Sequence, residues 1–350
     1  MTDSHVMTVL GPVAPEALGP TLIHEHVLFD LSVYHRQLVT RGEAALPDEP
    51  LGMEHLYLVR HNVPALLDNT IQRDLDVATT ELAHYKRLGG GTVVDVTSTG
   101  LAPDPAGLAE IARRTGLHLV AGTGYYIGIS HPPELAAKSA EQVAEEMLRD
   151  FTDGFPGSDV RAGVIGEIGT SEPLTPTEAV VLRASGMVQA QTGAAMVVHP
   201  DSTHRSYEPI ARTLDLLERA GARLDKVVIS HCDDRLHVAP EAFTRLAALG
   251  PSLAFDTFGK QHYYPHRGRQ YPSDQQRIDL LARLVPDLTD ALVLAHDVCY
   301  KTDQVAWGGD GFGHLPRNIL PRLRAVGVSE NAIHRMTVEN PRRLLPLTPR

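Results

Sequence analysis

Cysteine is nearly absent: Cys232 and Cys299 are the only two in 350 residues. Two thiols cannot staple a chain of this size, so the fold must rest on a buried core, and the usage suits a reducing cytoplasm. Positive charge is also short, with 32 Lys and Arg against 43 Asp and Glu and a net charge of -11. That balance speaks against a nucleic-acid groove or a polybasic membrane surface, and for a small-molecule substrate as the partner. No segment approaches the ~20 apolar residues of a membrane span, and residues 1–10 lack the cationic stretch and apolar run of a signal peptide. No membrane partner is expected. Fixed-period repeats, low-complexity tracts and Ser/Gly-rich linkers are missing too, which leaves 1–350 as a single domain. No Gly-rich dinucleotide fingerprint follows the first strand. The Gly-rich run 307–314 lacks the Lys-Ser/Thr placement of a phosphate loop, so it reads as a mobile loop covering the substrate.

What is present is an ordinary globular balance, 43% apolar and 21% charged, and a regular alternation of short β-branched runs with longer amphipathic segments. Eight such runs fall at 21–24, 92–97, 118–123, 163–168, 196–199, 227–231, 253–256 and 292–296. Helices are expected between them, among them 72–88, 140–151, 176–191, 207–220, 240–249 and 274–284. Thr175 followed by Pro176 reads as an N-cap and first turn, and Gly89, Gly221 and Gly250 as helix stops. Eight strands with covering helices predict an α/β fold, a (β/α)8 TIM barrel. Residues 1–18 form a hairpin leading into it, and 32–67 is either functional or partly helical.

Chemistry-bearing residues sit where the strands end. The first run ends in His24-Glu25-His26, the fourth in Glu167, the fifth in His199, the sixth in His231 and the eighth in His296-Asp297. The C-terminal strand ends of a barrel converge on one face, so residues far apart in sequence become neighbours there. Side chains alternate along a strand, so His24 and His26 share a direction while Glu25 points away. The same parity turns His296 into the helix layer and Cys232 away from His231. Imidazoles and carboxylates suit zinc and similar ions, with His24, His26 and Asp297 as one set, His199 and His231 as a second, and Glu167 as the bridge that holds two ions ~3.5 to 4 Å apart. Tyr126 could form a substrate wall, and Lys260, Lys301 and Arg267 are cations that could pair with a substrate carboxylate.

These residues, in this order, resemble the phosphotriesterase family of the amidohydrolase superfamily. The motifs LIHEH, GVIGEIGTS, VISHCDD, FDTFGK, LAHD and TVENPRRLL carry the resemblance over residues 8–345. It implies two divalent ions, zinc first and Mn, Co, Ni or Fe as alternatives, held by His24, His26, Glu167, His199, His231 and Asp297. A hydroxide shared by the ions would be the nucleophile, Asp297 would accept its proton, and Asp234 would pass the proton outward. Two departures matter. The bridge is Glu167 rather than a carboxylated lysine, which points to the phosphotriesterase-homology and phosphotriesterase-related branch. Position 257 is Thr, where organophosphate hydrolases carry a relay His and lactonases an Arg. Both favour N-acyl amino acids, lactones or carboxylic esters over phosphotriesters. The competing readings are a genuine phosphotriesterase and a non-catalytic binder that keeps the metal cage. The resemblance also implies a possible homodimer.

Overall fold

The computed structural model describes residues 4–43, 45, 46, 48–201, 206–235, 238–264 and 269–349. Its centre is a parallel sheet of eight strands: β1 (Thr21–Glu25), β2 (Thr92–Asp95), β3 (His118–Thr123), β4 (Val164–Gly169), β5 (Ala195–His199), β6 (Val227–Ile229), β7 (Ser252–Phe255) and β8 (Leu292–Leu294). Each pairs with its sequence neighbour. The seam between β8 and β1 is bridged beyond the last strand, where Asp297 N donates to His24 O at 3.2 Å. The sheet is thus nearly closed into the expected barrel.

Helices follow the strands in turn: α1 (Leu75–Arg87), α2 (Pro105–Thr115), α3 (Ala140–Thr152), α4 (Pro176–Thr192), α5 (Glu208–Arg219), α6 (Pro240–Ala247), α7 (Asp274–Leu288) and α8 (Leu320–Ala325). Their starts follow the cap chemistry. Thr175 accepts from Glu178 N in a capping box at α4, as expected, and Asp74 accepts from Asp76 N and Val77 N at α1. That cap moves the start of α1 to Leu75, because Gln72 is held in a short antiparallel pair with Phe29. Residues Gly89, Gly221 and Gly250 all have positive φ just past helix ends.

Alternation along the strands builds two apolar layers. Val94, Val96, Val164, Ala195, Val197, Ala254, Val293 and Ala295 pack together inside the barrel. Their neighbours Val93, Ile165, Met196, Val198, Leu253 and Leu294 pack outward against the helices. The inner layer is closed at the N-terminal end of the strands by Val6 of the expected hairpin (Val6–Thr8 with Gly11–Val13) and by Leu344 and Leu345. The opposite end is left for polar side chains.

Segment 32–67 is partly helical, with a helix over Ser32–Thr40 and shorter turns after it, and Tyr34 brings it to the cavity wall. Run 307–314 departs from the expected mobile cover. Phe312 is fully buried, Gly309 N and Gly311 N donate to Gln304 O and Asp303 O, and Glu81 of α1 accepts from Val305 N and Ala306 N. None of its residues lines the cavity described next.

Candidate metal centre

Two strands reach the site with an extra residue. On β1, Leu22 and Glu25 face Val93 and Asp95 of β2, three steps against two. On β4, Ile165 and Ile168 face Met196 and Val198 of β5, again three against two. A bulge of this kind re-aims the side chains that follow it. Ile23 lies in the inner layer and Leu22 in the outer one. Unbroken alternation would have sent Glu25 inward; the bulge sends His24 and His26 there instead. Glu25, turned outward, accepts from His296 N and Val298 N and lies 2.8 Å from His296 Nδ1. His296 Nε2 accepts from Leu315 N, so His296 is structural, as its parity implied.

His231 and Asp297 reach the site differently. Both have positive φ, 56° and 52°, and both lie just past the last paired residues of β6 and β8. Leaving the extended region there ends the strands earlier than expected and aims both side chains at the centre, at a backbone cost of order 1–3 kcal/mol each. Cys232 packs in the outer layer, away from His231.

Glu167 stands at the centre of the assembled group. Its Oε1 is 2.8 Å from His199 Nδ1, 3.3 Å from His24 Nε2 and 3.5 Å from His231 Nε2, and its Oε2 is 3.6 Å from His26 Nε2. Asp297 Oδ1 lies 3.6 Å from His24 Nε2 and 3.4 Å from His26 Nε2. The six expected ligands therefore converge. Their atoms form two groups compact enough for an ion that share Glu167, one with His24 and His26 and one with His199 and His231.

Asp256, which sequence reasoning left out, sits behind both groups. Its Oδ2 is 2.9 Å from His24 Nδ1 and its Oδ1 is 3.0 Å from His231 Nδ1, and Oδ1 also accepts from His231 N. One carboxylate thus fixes the ring orientation and tautomer of one histidine from each group. His26 Nδ1 has its own partner, Thr97 Oγ1 at 2.9 Å. The only advance signal for Asp256 was an acid at the end of the seventh strand.

The electrostatics are those of imidazoles and carboxylates buried against one another. Burial opposes charging His24, yet Glu167, Asp256 and Asp297 outweigh it and push the imidazole up to about 9. Burial likewise opposes ionising Glu167, but His199 and His24 hold it well below the usual carboxylate range. His24 Nε2 is buried and has no hydrogen-bond partner among the described residues. An orphaned imidazole nitrogen facing two carboxylates is a donor set that fits a divalent cation, so these residues suit a metal.

Other expected residues separate. Tyr126 does line the cavity: its hydroxyl is 2.7 Å from that of Tyr34 and its ring stands edge-on to His199 at 5.1 Å. Lys260 lines it too, donating to Asp297 Oδ2 at 2.6 Å. Lys301 does not. Its ammonium pairs with Asp68 at 2.6 Å and lies 5.3 Å over the Trp307 ring, which uses its charge to tie loops together. Arg267 lies outside the described residues. Asp234 is buried in the turn Cys232–Asp234 and is not part of the cavity wall. Its neighbour Asp233 accepts from Thr257 N and Oγ1 and from Arg277 Nε, a fully buried guanidinium on α7 that sequence reading passed over.

A barrel carrying this His and carboxylate cluster at the C-terminal ends of its strands defines a metal-dependent hydrolase. The chain belongs to the phosphotriesterase family, whose model matches residues 4–345. Among its relatives are the N-acetyltaurine hydrolases of Tetraodon nigroviridis, 36% identical over 345 residues, and of Homo sapiens, 34% over 344, each alignment covering 97% of both chains. A resiniferatoxin-binding protein from Rhodobacter sphaeroides superposes with a TM-score of 0.91 at 34% identity, covering 97% of this chain and 94% of that one. The phosphotriesterase homology protein from Escherichia coli, complexed with phosphate in its active site, superposes at 0.76 and 27% identity, covering 94% and 99%. The chain is accordingly a metal-dependent hydrolase of this family, and its His and carboxylate cluster is consistent with a divalent metal site.

Proposed function

We propose that the chain, acting as one domain over 1–350, cleaves small N-acyl amides with two divalent ions, zinc foremost. The observation that carries this reading is Glu167, whose two oxygens stand between the His24/His26 pair and the His199/His231 pair. Bound there, the ions would polarise the scissile carbonyl and make water nucleophilic near neutral pH. His24, His26 and Asp297 would hold one ion, His199 and His231 the other, and Glu167 both. Asp297 would take the attacking water's proton, and Asp234, set back from the cavity wall, would pass it outward. Tyr126, held by the Tyr34 hydroxyl, walls the carbonyl side next to His199.

The amide preference draws on the N-acetyltaurine hydrolases and on Thr257, which has no imidazole to offer at the position after Asp256. Lactones and carboxylic esters rank next, and phosphotriesters last. Two buried, free thiols support a reducing compartment such as the cytoplasm. The test is a panel of N-acyl amino acids, N-acetyltaurine, lactones, aryl esters and paraoxon on metal-loaded protein. Amide turnover ahead of the other classes is expected; hydrolysis confined to paraoxon would refute the reading. The binder reading, which the Rhodobacter neighbour's name brings up, is separated by Asp297→Asn. A hydrolase then loses turnover far beyond any loss of metal.

A further inference from the structure

One helical face of the segment ahead of the first barrel helix is turned to solvent. A 3-10 turn over Met53–His55 runs into a helix over Leu56–Val59, and Arg60 N and His61 N donate to Leu56 O and Leu58 O, which carries the coil on through His61. His55 and Val59 are buried, while Met53, Glu54, Tyr57, Arg60 and His61 are exposed, the spacing of one helix face. Met53 is 86% exposed and Tyr57 75%, the two highest values among the large apolar side chains of the described residues. We propose that this face is a homodimer interface, on which a second copy of the chain lies antiparallel about a two-fold axis at Tyr57.

The charges select that partner. A two-fold axis at Tyr57 sets the residue three before it on one copy opposite the residue three after it on the other. Glu54 then meets the partner's Arg60, once from each copy, and helices packed ~8–10 Å apart leave two such long side chains within reach. Both are available: Arg41 pairs with Glu43 and His55 with Glu49, whereas Glu54 and Arg60 form no ion pair with any described residue. A face with one acid and one base equally spaced about its centre is neutral and complementary to itself, which is what an isologous contact requires. An unrelated partner needs no such symmetry. Elsewhere the net charge of -11 pushes copies apart, which confines association to the place where the charges match.

Tyr57 on the axis is the anchor, since a large aromatic side chain at the centre of a contact carries most of its energy. The helical stretch is short, at ~1.5 Å of rise per residue, against the ~800 Å² that each partner gives to a stable interface. The contact therefore spreads over the rest of segment 32–67, where Val39 is 56% exposed, third among the large apolar side chains. That segment has a small core of its own, built on Leu51, Val59 and Leu66. It also brings Tyr34 to the cavity wall, so pairing two copies through it braces that wall.

The experiment is sedimentation velocity with light scattering over a dilution series of the metal-loaded full chain. It compares wild type with Tyr57→Glu, Glu54→Arg, Arg60→Glu and the double exchange Glu54→Arg/Arg60→Glu. Every changed side chain is exposed, so all variants should keep the circular dichroism of wild type. Wild type should run as two chains, and Tyr57→Glu should raise the dissociation constant about 30-fold or more. Each single reversal sets like charges against one another at both ends of the contact and should raise it about 10-fold. The double exchange restores both pairs with their signs inverted and should recover most of that loss. A wild type that runs as a single chain throughout the series overturns the proposal. So does a dimer that Tyr57→Glu leaves intact, or single reversals that the double exchange fails to rescue, for then the copies do not meet about this axis.

Discussion

Asp256 carries a larger share of the site than its absence from the ligand set suggests. It holds His24 and His231 on the side away from Glu167, at 2.9 and 3.0 Å; of the two ligand groups that share Glu167, His24 belongs to one and His231 to the other, and Asp256 forms a third group with both. Asp256→Asn presents an N–H₂ to one ring nitrogen and forces the wrong tautomer on it. Retention of metal in equilibrium dialysis should fall about 10- to 100-fold, for both ions rather than one. Thr97→Val, which touches only His26, should weaken one. Equal, small effects from the two variants would contradict this. Arg277 is the other residue whose weight shows only in three dimensions. Fully buried, it ties Asp233, Thr257, Asp274 and Lys260 into the wall behind the site. Arg277→Met takes the counter-charge from Asp233, whose carboxyl burial already pushes up to about 6, and strands the buried groups the guanidinium joins, so urea unfolding should show a loss of about 3–5 kcal/mol. A loss under 1 kcal/mol would mean that this network is slack.

At the scale of elements, caps and bulges differ in how far sequence reveals them. The α4 start could be read directly, because Thr175, Pro176 and Glu178 form a local signature. Thr175→Ala should cost ~1 kcal/mol in thermal or denaturant unfolding, and an unchanged stability would show that Glu178 caps without it. That His24 and His26 share a face was equally legible from a period of two. Which face was not. Ile23 packs inside the barrel, so simple alternation puts Glu25 inside, and only the extra residue on β1 reverses this. A bulge is a relation between two paired strands, and nothing in His24-Glu25-His26 records it. Glu167 depends on the same device, helped by Gly166 at φ +123°, where an added Cβ would meet Val197 O at 2.5 Å. His231 and Asp297 depend on left-handed backbone, which His and Asp visit more often than most residues but which no local pattern assigns to these two positions.

Over the whole molecule, eight strands, their order and the convergent rim follow from alternation, because a barrel leaves few other topologies. Loop contacts were the illegible part. Lys260 and Lys301 look alike in sequence, yet one faces Asp297 and the other Asp68. Closure of the far end rests on one buried cation: Lys226 Nζ donates to the carbonyls of Arg343, Leu344 and Pro346, at the end of the segment that plugs the barrel. Burial, with the charges of Arg223 and Arg343 adding to it against Asp225, lowers this lysine from 10.5 to about 8. Between those pH values the unfolded chain binds more protons than the folded one, so this group's contribution to stability rises with pH across that window. Melting curves of wild type and Lys226→Met should therefore differ in pH slope between 8 and 10.5, wild type gaining relative to the variant. Parallel slopes would show that the ammonium is not desolvated.

The central claim, that Glu167 joins two ion sites into one hydrolytic centre, is tested most directly by metal content per chain in wild type and Glu167→Ala, measured by elemental analysis. The account predicts about two divalent ions in wild type and fewer in the variant. A folded wild-type protein that takes up no metal, or a Glu167→Ala protein that keeps both ions, would contradict it.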